Sequence, residues 1–422
     1  MKVLKNYNLR AHNTFRMDVS CACFIEYDSA SELESLDWDS LPKPVRHIGA
    51  GSNLLFSGNF PGTILHSKIS FLKYVDMGFD EVPVMVGSGV VWDDFVAQTC
   101  SHGLWGAENL SLIPGEVGAA AVQNIGAYGA EIKDIISGVV CFDVLERRKV
   151  KFGVAECEYG YRDSFFKRNP GRYVVTSVLM RLCRTPKPRL DYKGLSETLA
   201  KSLECSGDGV ERGFGDGVKR SSQEISAGLS STEGAQKCFS SGGSSAEGTQ
   251  KSLSSGESSA EGAQKSLSSG ESSAEGAQKC LNKGGSVEED PRITPQMVRD
   301  AVISLRNSKL PDPAVLGSAG SFFKNPVVGI EKFQEISKDY DNVPHYLLDG
   351  GDVKIPAAWL IDNCGLKGCS IGGAQVYERQ PLVIVNASGA ATPSDVTALC
   401  EHIRSCVLTH FGINLFLEVE LL

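Results

Sequence analysis

The segment Ile113-Pro-Gly-Glu-Val-Gly-Ala-Ala-Ala-Val-Gln-Asn-Ile-Gly-Ala-Tyr-Gly129 holds four glycines and a Gln-Asn pair within seventeen residues. Glycine has no Cβ atom, so a glycine-rich backbone can turn tightly and approach a flat or anionic ligand closely. A second glycine cluster, Gly49-Ala-Gly-Ser-Asn53, precedes it by about sixty residues. Two such loops in one segment favour a long ligand with both a diphosphate and a ring system. We therefore predict a bound flavin dinucleotide.

The Gly49–Asn53 cluster begins like the dinucleotide fingerprint of a Rossmann fold but departs from it at Leu54, where the third glycine is expected. The chain then runs to Gly58 instead of entering a helix, although a Rossmann site needs a helix terminus for the diphosphate. A turn whose backbone N–H groups bind an anion remains compatible with this sequence. Beside 115–129, ligand binding is the better interpretation of the cluster.

The bulk composition is that of an ordinary globular protein. The 422 residues are 41% hydrophobic and 22% charged, and the formal net charge is −9. An acidic chain of this kind is not expected to bind nucleic acid or an anionic membrane surface. The N-terminus lacks an apolar signal core, and no apolar run approaches ~18 residues. We expect a cytoplasmic protein.

The thirteen cysteines are scattered along the chain. In a chain of this length they are expected to be free thiols in a reducing compartment. The pairs Cys21/Cys23 and Cys364/Cys369 lack the spacing of a zinc site, and no histidine cluster accompanies them. We expect no metal ion.

Residues 13–183 consist of short β-rich runs broken by glycine, with one clear helix, Trp92–Ser101, which predicts an α+β ligand-binding domain. Two further helices are predicted, one opening at Thr294 and one running from Thr392 to Gly412, with strands between them.

Between them lies a segment of different composition. Glu-Gly-(Ala/Thr)-Gln-Lys recurs with a period of fourteen residues, and each unit is rich in serine and glycine. Such units bury too little apolar surface to offset the entropy of ordering, so we predict that 205–292 is a disordered insertion.

A Gly-x-Ser-x-Gly motif, Gly368-Cys-Ser-Ile-Gly372, suggests a different class, the α/β-hydrolases. Asp395 and either His402 or His410 follow it in the order of that catalytic triad. The hydrolase motif requires a strand before the serine and a helix after it, whereas glycines and a strand-like run follow Ser370. We interpret the match as accidental.

Six motifs follow one another along the chain: Asn13-Thr-Phe15, Gly49–Asn53, Ile113-Pro-Gly115, Gln123–Gly129, Tyr161-Arg-Asp-Ser164 and Gly320-Ser-Phe-Phe-Lys-Asn-Pro326. In this combination the chain resembles the UDP-N-acetylenolpyruvoylglucosamine reductases of bacterial peptidoglycan synthesis. The resemblance covers nearly all of the sequence outside the repeats. Tyr192, in Leu190-Asp-Tyr-Lys-Gly194, resembles the extra substrate-covering tyrosine loop of one form of that family.

The resemblance implies an α+β fold with a vanillyl-alcohol-oxidase, or PCMH-type, FAD-binding region of two subdomains over residues 1–184. Residues 185–204 and 293–310 would form the substrate loop and a connecting segment. Residues 311–422 would form a C-terminal substrate-binding domain whose last strand returns to the active site.

The resemblance also implies an oxidoreductase activity. NADPH reduces the flavin and leaves, and UDP-N-acetyl-3-O-(1-carboxyvinyl)glucosamine then takes its place and is reduced to UDP-N-acetylmuramate. A role in cell-wall biogenesis, and through it in cell shape, cell division and the cell cycle, would follow. We expect a monomer. An FAD-linked oxidase of the same fold that acts on another hydroxylated substrate is the alternative.

Three residues correspond to the family's catalytic groups: Arg162 and Glu418 at the substrate carboxylate, and Ser321 as proton donor. The reaction develops an enolate dianion, so fixed positive charge and donors are needed there. We therefore expect Glu418 to be protonated or to share a proton. The resemblance implies substrate contacts from Tyr161, Tyr192, Lys309, Asn325, Lys367 and Gln380. It implies FAD contacts from Gly49, Ala50, Gly51, Ser52, Asn53, Ser111, Ile113, Gly115, Gly118, Gln123, Asn124, Gly126, Ala127 and Tyr128.

Overall fold

Short strands and helices alternate along the chain in a computed structural model that describes residues 1–75, 78–192, 194–207, 290–348 and 350–422. Most of the predicted repeat insertion, from 208 to 289, lies outside the described residues. The strands in the described ranges are β1 (Lys2–Asn8), β2 (Ser20–Tyr27), β3 (Val45–Ile48), β4 (Leu54–Leu55), β5 (Phe60–Ser67), β6 (Leu72–Tyr74), β7 (Glu81–Gly87), β8 (Gly126–Ala127), β9 (Ala130–Glu131), β10 (Ile136–Asp143), β11 (Arg148–Gly153), β12 (Tyr173–Cys183), β13 (Ser318–Ser321), β14 (Val327–Val328), β15 (Tyr346–Leu347), β16 (Val353–Lys354), β17 (Ser370–Ile371), β18 (Ala374–Val376), β19 (Val383–Asn386) and β20 (Glu420–Leu421). The α-helices in the same ranges are α1 (Ala30–Glu34), α2 (Trp92–Ser101), α3 (Val117–Gln123), α4 (Phe165–Arg168), α5 (Leu195–Gly207), α6 (Pro295–Lys309), α7 (Ile330–Asp339), α8 (Ala357–Asn363) and α9 (Pro393–Phe411).

The N-terminal sheet has the strand order β1-β2-β5-β3. Strand β5 is parallel to both β2 and β3, and all but one of its residues are buried, as expected for a central strand covered on both faces. An apolar cluster that includes Tyr27, Trp38 and Phe142 joins this sheet to the next one, because Phe142 belongs to β10.

The second sheet is fully antiparallel, in the order β11-β10-β12-β7-β6. Helix α2 was predicted from its sequence, and it buries Trp92, Phe95 and Val96 against this sheet. The expectation that α2 is the one helix of residues 13–183 was wrong. Helices α1, α3 and α4 are also present, and α3 lies inside the glycine-rich segment because its alanines pack closely on β12.

The C-terminal part contains the sheet β13-β19-β18-β17 and the small sheet β14-β16-β15. Helix α9 packs on β17 and β18. It begins after Thr392, whose hydroxyl accepts from the Asp395 N–H while the Asp395 carboxylate accepts from the Thr392 N–H, and it ends at Gly412 in the left-handed conformation. Helix α6 begins after Thr294 in the same capping arrangement of hydroxyl and N3 amide. Both predicted helices are present.

Two long-range connections bring the parts together around the site. The parallel pairing of β20 with β4 returns the end of the chain to the first glycine loop. One apolar cluster combines Phe15 and Phe56 with Phe322, Phe323 and Leu415. The described residues belong to one compact unit, so the proposed boundaries at 184 and 311 stay a prediction. No helix in the described ranges is long and apolar enough to cross a membrane.

The Gly-x-Ser-x-Gly motif does not form a hydrolase elbow. Ser370 opens the short strand β17, and a turn and strand β18 follow it. Asp395 caps α9, while His402 lies beside Cys406 and His410 hydrogen-bonds Tyr340. The residues of the supposed triad are therefore engaged separately.

Candidate active site

The two glycine loops touch each other and form one wall. The Ser52 hydroxyl donates to the carbonyl of Pro114 over 3.0 Å. Gly115 has a φ of +125°, and a Cβ atom there would lie 2.9 Å from the Ser52 Oγ. Any larger residue at 115 would be strained and would push the loops apart. The glycine is needed for the wall itself.

Three adjoining cavities run along this wall, and we call them together the central cleft. The first is lined by Gly49–Asn53, Gly115, Gly118 and Gln123. The second shares Ser52, Asn53 and Gln123 with the first and adds Ile113, Gly126, Arg162, Arg306, Ser321 and Glu418. The third has a volume of about 400 Å³, shares Ile113, Pro114, Arg306 and Gly320 with the second, and continues along residues 310–314.

Arg162 and Glu418 form a hydrogen-bonded ion pair in the second cavity. The Arg162 Nε donates to the Glu418 Oε1 over 2.7 Å, and the side chains are 18% and 13% exposed. The other guanidinium nitrogens donate to the carbonyls of Gly126 and Asn124. The Glu418 N–H donates to the carbonyl of Phe322, which fixes the carboxylate beside the arginine. Four hydrogen bonds thus hold the pair in place.

Ser321 ends strand β13 and lines the same cavity. Its strand is tied to the N-terminal motif, since the Thr14 hydroxyl donates to the carbonyl of Ser318 over 2.6 Å. Within the described ranges, the Ser321 hydroxyl has no hydrogen-bond partner. The structure therefore brings Arg162, Ser321 and Glu418 together. Their catalytic roles, and a proton on Glu418, stay predictions.

Not every residue expected at FAD lines the cleft. Ser111 is fully buried, and its hydroxyl donates to the carbonyl of Glu108 over 2.6 Å. The Asn124 amide donates to Glu131 and to the carbonyl of Gly160. The side chains of Ser111 and Asn124 therefore hydrogen-bond to groups outside the cleft and stabilise the loops that carry them. Ala127 and Tyr128 also lie outside the lining of the three cavities.

Among the expected substrate residues, two tyrosines lie near other aromatic or cationic groups. The Tyr161 ring lies under the Arg162 guanidinium, with 5.4 Å between the guanidinium carbon and the ring centroid. Tyr192 meets Tyr128 edge-on, with the ring centroids 4.8 Å apart. The Asn325 Oδ1 accepts from the N–H of Ala357 over 2.9 Å.

None of the six expected substrate residues lines the central cleft, and the three that remain have polar surroundings of their own. Lys309 is the exposed last residue of α6. Lys367 forms an exposed ion pair with Asp362 over 2.6 Å. The Gln380 Oε1 accepts from the N–H of Leu382 over 3.5 Å. Their part in substrate binding stays a prediction.

The sequence interpretation missed Arg306. This arginine lines both the second and the third cavity, and its Nε is buried without a partner among the described residues. Burial lowers the pKa of its guanidinium. Arg306 lies three residues before Lys309 on the same face of α6, and this spacing is the sequence feature from which it could have been identified.

A second missed group is Lys354, whose ammonium lies over two tyrosine rings. It is 5.0 Å from the ring centroid of Tyr161 and 5.3 Å from that of Tyr346. Such cation–π contacts keep a positive charge beside aromatic surface. This surface lies next to Arg162.

The residues present fit a flavin dinucleotide. The wall formed by Gly49–Asn53 and Gly115–Gly118 lets a ligand approach backbone N–H groups. Gln123 lines two of the cavities, and its Nε2 is buried without a partner in the described part of the chain. A buried donor that no protein group satisfies suits a ligand with ring carbonyls or phosphate oxygens.

Comparison with known proteins identifies the two parts of the chain separately. Residues 39–145 match the family model described as an FAD binding domain. Residues 312–422 match the model described as UDP-N-acetylenolpyruvoylglucosamine reductase, C-terminal domain. The first match and the glycine-walled cleft define the class: an FAD-dependent oxidoreductase.

Full-length relatives narrow that class. The chain is 38% identical over 418 residues to the UDP-N-acetylenolpyruvoylglucosamine reductase of Bacteroides fragilis, covering 99% of both chains. It is 35% identical over 425 residues to the enzyme of the same name from Porphyromonas gingivalis, covering 100% of this chain and 99% of the relative. The chain therefore belongs to the UDP-N-acetylenolpyruvoylglucosamine reductase family.

The fold agrees with this membership. The crystal structure of that reductase from Thermus caldophilus superposes with a TM-score of 0.54 at 18% identity, over 100% of this chain and 98% of the other. The predicted family, fold class and FAD cofactor are confirmed.

Proposed function

We propose that this protein is the oxidoreductase that uses NADPH to reduce UDP-N-acetyl-3-O-(1-carboxyvinyl)glucosamine to UDP-N-acetylmuramate. The observation that carries the proposal is the second cavity, where Arg162, Ser321 and Glu418 adjoin the glycine wall. When bound, FAD takes up hydride from NADPH and supplies it to the substrate double bond. The protein's task is to hold the substrate and stabilise the charge that this transfer creates.

Arg162 is suited to the substrate carboxylate. Its guanidinium is held by Glu418 and two backbone carbonyls, so it needs no rearrangement when negative charge develops. The carboxylate of Glu418 neutralises part of the positive charge of Arg162. We expect Arg306, whose Nε is unpartnered among the described residues, to add positive charge at the other side of the same cavity.

Ser321 is suited to proton donation because its hydroxyl is not engaged by other described groups. A serine hydroxyl is a very weak acid, but an enolate is a strong base, so placement decides the rate of transfer. A proton delivered from the Ser321 Oγ to the substrate carbon would complete the reduction.

The charged end of the substrate would lie toward the tyrosines. Tyr161, Tyr192 and Tyr346 offer aromatic surface, and Lys354 adds a cation over two of the rings. Such a surface suits a pyrimidine nucleotide carrying a diphosphate. We further propose that the enzyme acts in the cytoplasm in peptidoglycan precursor synthesis, and so supports cell shape and cell division.

The test is a turnover assay with purified protein. The protein should be yellow, and it should oxidise NADPH to completion only when the enolpyruvyl UDP-sugar is present, with UDP-N-acetylmuramate detected by mass spectrometry. Rapid reoxidation of the reduced protein by dioxygen, with turnover of a hydroxylated compound and none of the UDP-sugar, would instead support the oxidase alternative.

A further inference from the structure

Lys167 connects Gln123, which lines the first and second cavities, to Arg162. It lies on the short helix α4, which begins after Ser164. The Ser164 hydroxyl accepts from the Lys167 N–H and donates to the carbonyl of Val122 over 2.6 Å. The Lys167 ammonium donates to the Gln123 Oε1 over 2.6 Å and to the carbonyl of Arg162 over 3.2 Å. One side chain therefore contacts two of the residues that line the second cavity.

The first of these bonds decides the orientation of the Gln123 amide. A lysine ammonium can only donate, so the amide oxygen must face Lys167 and the amide nitrogen must face away. That nitrogen is the buried Nε2 that has no partner among the described residues, and Gln123 lines the first and second cavities. Lys167 thus presents an N–H donor to whatever occupies the cleft.

The second bond fastens the turn that carries Arg162. The turn is closed by paired backbone hydrogen bonds between Gly160 and Asp163, and Arg162 within it has a φ of +53°. A non-glycine residue in this left-handed region persists when surrounding contacts hold it there. The bond from Lys167 to the Arg162 carbonyl is such a contact, and the turn aims the guanidinium at Glu418.

The hydrogen-bond partners of Lys167 indicate that it orients neighbouring groups and does not neutralise a negative charge. Both acceptors are neutral, and no carboxylate lies within ion-pair distance of its ammonium among the described residues. Burial, and next the neighbouring Lys324 ammonium, lower the pKa of Lys167, while more distant carboxylates oppose them. Two neutral oxygens keep this ammonium in a partly buried position. The main effect of the ammonium is therefore to fix the positions of the two groups that accept its hydrogen bonds.

We propose that Lys167 is a positioning residue for the reaction: it sets the Gln123 amide with its N–H toward an acceptor of the flavin dinucleotide, and it fixes the Arg162 turn in the catalytic cavity. This inference rests on the proposed function. The acceptor is a ring carbonyl, a ring nitrogen or a phosphate oxygen of the cofactor.

The test compares three variants in the full chain. Lys167→Met keeps the stem and removes both donors, Lys167→Arg keeps donors, and Gln123→Glu replaces the amide N–H₂ by an acceptor. Arg168→Met is the matched control, because it removes a charge from the same helix; among the described residues the Arg168 guanidinium hydrogen-bonds Asp163 and Glu158, and neither Gln123 nor the Arg162 carbonyl. FAD affinity is measured by fluorescence titration of apoprotein, together with the spectrum and midpoint potential of the bound flavin.

We expect Lys167→Met and Gln123→Glu each to weaken FAD binding about tenfold, the effect of losing one well-placed hydrogen bond. Both should shift the flavin spectrum. Lys167→Met should also lower kcat about tenfold or more with little change in KM for the UDP-sugar. Lys167→Arg should restore most of both, and Arg168→Met should change neither.

The inference is overturned if Lys167→Met leaves FAD affinity, spectrum and kcat unchanged, or if Gln123→Glu binds FAD as tightly as the parent protein. If Lys167→Met does not fold, Lys167→Arg and Gln123→Glu carry the same test. The FAD titration needs no substrate. A failure of the proposed function, seen as wild-type protein inactive on the UDP-sugar, would therefore be distinguishable from a failure of this inference.

Discussion

Replacing Arg162 by an uncharged residue should destabilise the protein far more than replacing Glu418, although the two residues form one ion pair. The pair is joined by a 2.7 Å hydrogen bond, and both side chains are largely enclosed. In the protein without substrate Glu418 is ion-paired with Arg162, so Arg162→Met leaves this carboxylate unpaired and also frees two carbonyls. A buried charge without its partner costs about 3–5 kcal/mol, and the residual exposure here favours about 3 kcal/mol.

Glu418→Gln should cost only about 1 kcal/mol, because its amide oxygen can still accept from the Arg162 Nε. The double variant Arg162→Met/Glu418→Gln should cost about 2 kcal/mol, since no unpaired charge remains in the cavity. Its cost is then about 2 kcal/mol below the sum of the single effects. The physical reason is that most of the Arg162→Met effect is the isolated carboxylate and not the lost contact.

The assay is urea unfolding of apoprotein at pH 7 and low ionic strength, with the free energies combined in a double-mutant cycle. The control cycle is Lys332→Met/Glu335→Gln, an exposed pair joined over 2.8 Å, for which the coupling should stay below about 0.5 kcal/mol. Additive effects of Arg162→Met and Glu418→Gln would refute the claim that the two groups form one enclosed unit.

Three further predictions concern the walls of the cleft. Gly115→Ala should destabilise the protein by about 1–3 kcal/mol and release FAD on gel filtration, because φ is +125° and the new Cβ would meet the Ser52 Oγ; full FAD retention would contradict this. Burial lowers the pKa of His47 to about 3, below its value in the unfolded chain. The contribution of neutral His47 to the free energy of unfolding should therefore be full above about pH 6.5 and fall by about 2 kcal/mol between pH 7 and pH 5. Urea unfolding at both pH values should show a smaller fall in His47→Gln. Burial alone would raise the pKa of Asp93, but hydrogen bonds from Arg299 and a backbone N–H hold it below its ordinary value, so Asp93→Asn should cost about 2–3 kcal/mol at pH 7. The difference in urea midpoint between the wild-type protein and Asp93→Asn should become smaller on acidification, because the wild-type carboxylate is then protonated. A difference that does not change with pH would argue against the ion pair.

Local chemistry made several elements predictable from the sequence. Thr392 and Asp395 cap α9 and Gly412 ends it, as the residues at these positions indicate. The glycine loops were recognisable because Gly51 and Gly115 have positive φ values that other residues rarely adopt. These features depend on a few neighbouring residues, and so they can be read from a short segment.

Features that depend on distant pairing were not predictable in the same way. Glu418 reaches Arg162 across 256 positions of sequence, and only the family resemblance placed them together. Helix α3 was missed because Gly118 and the surrounding glycine-rich motif obscured it, although Ala119–Ala121 favour a helix and packing on β12 stabilises it. Tertiary contacts decide both cases.

The missed polar residues share a physical reason. Lys167 and Arg306 belong to residue types that usually lie at the protein surface, and the sequence alone does not show that their side chains turn inward. The converse holds for Asn124, which belongs to the Gln-Asn motif but turns its amide toward Glu131 and Gly160. Side-chain direction is fixed by the loops around it.

The most direct test of the central claim is single-turnover kinetics of Ser321→Ala in two separate half-reactions. Reduction of the bound flavin by NADPH should proceed at nearly the wild-type rate, because that step needs no proton from Ser321. Reoxidation by the enolpyruvyl UDP-sugar should slow by at least about 10²-fold, as expected when a positioned proton donor is removed. Equal slowing of both half-reactions, or no slowing of the second, would contradict the assignment of Ser321, Arg162 and Glu418 to one catalytic cavity.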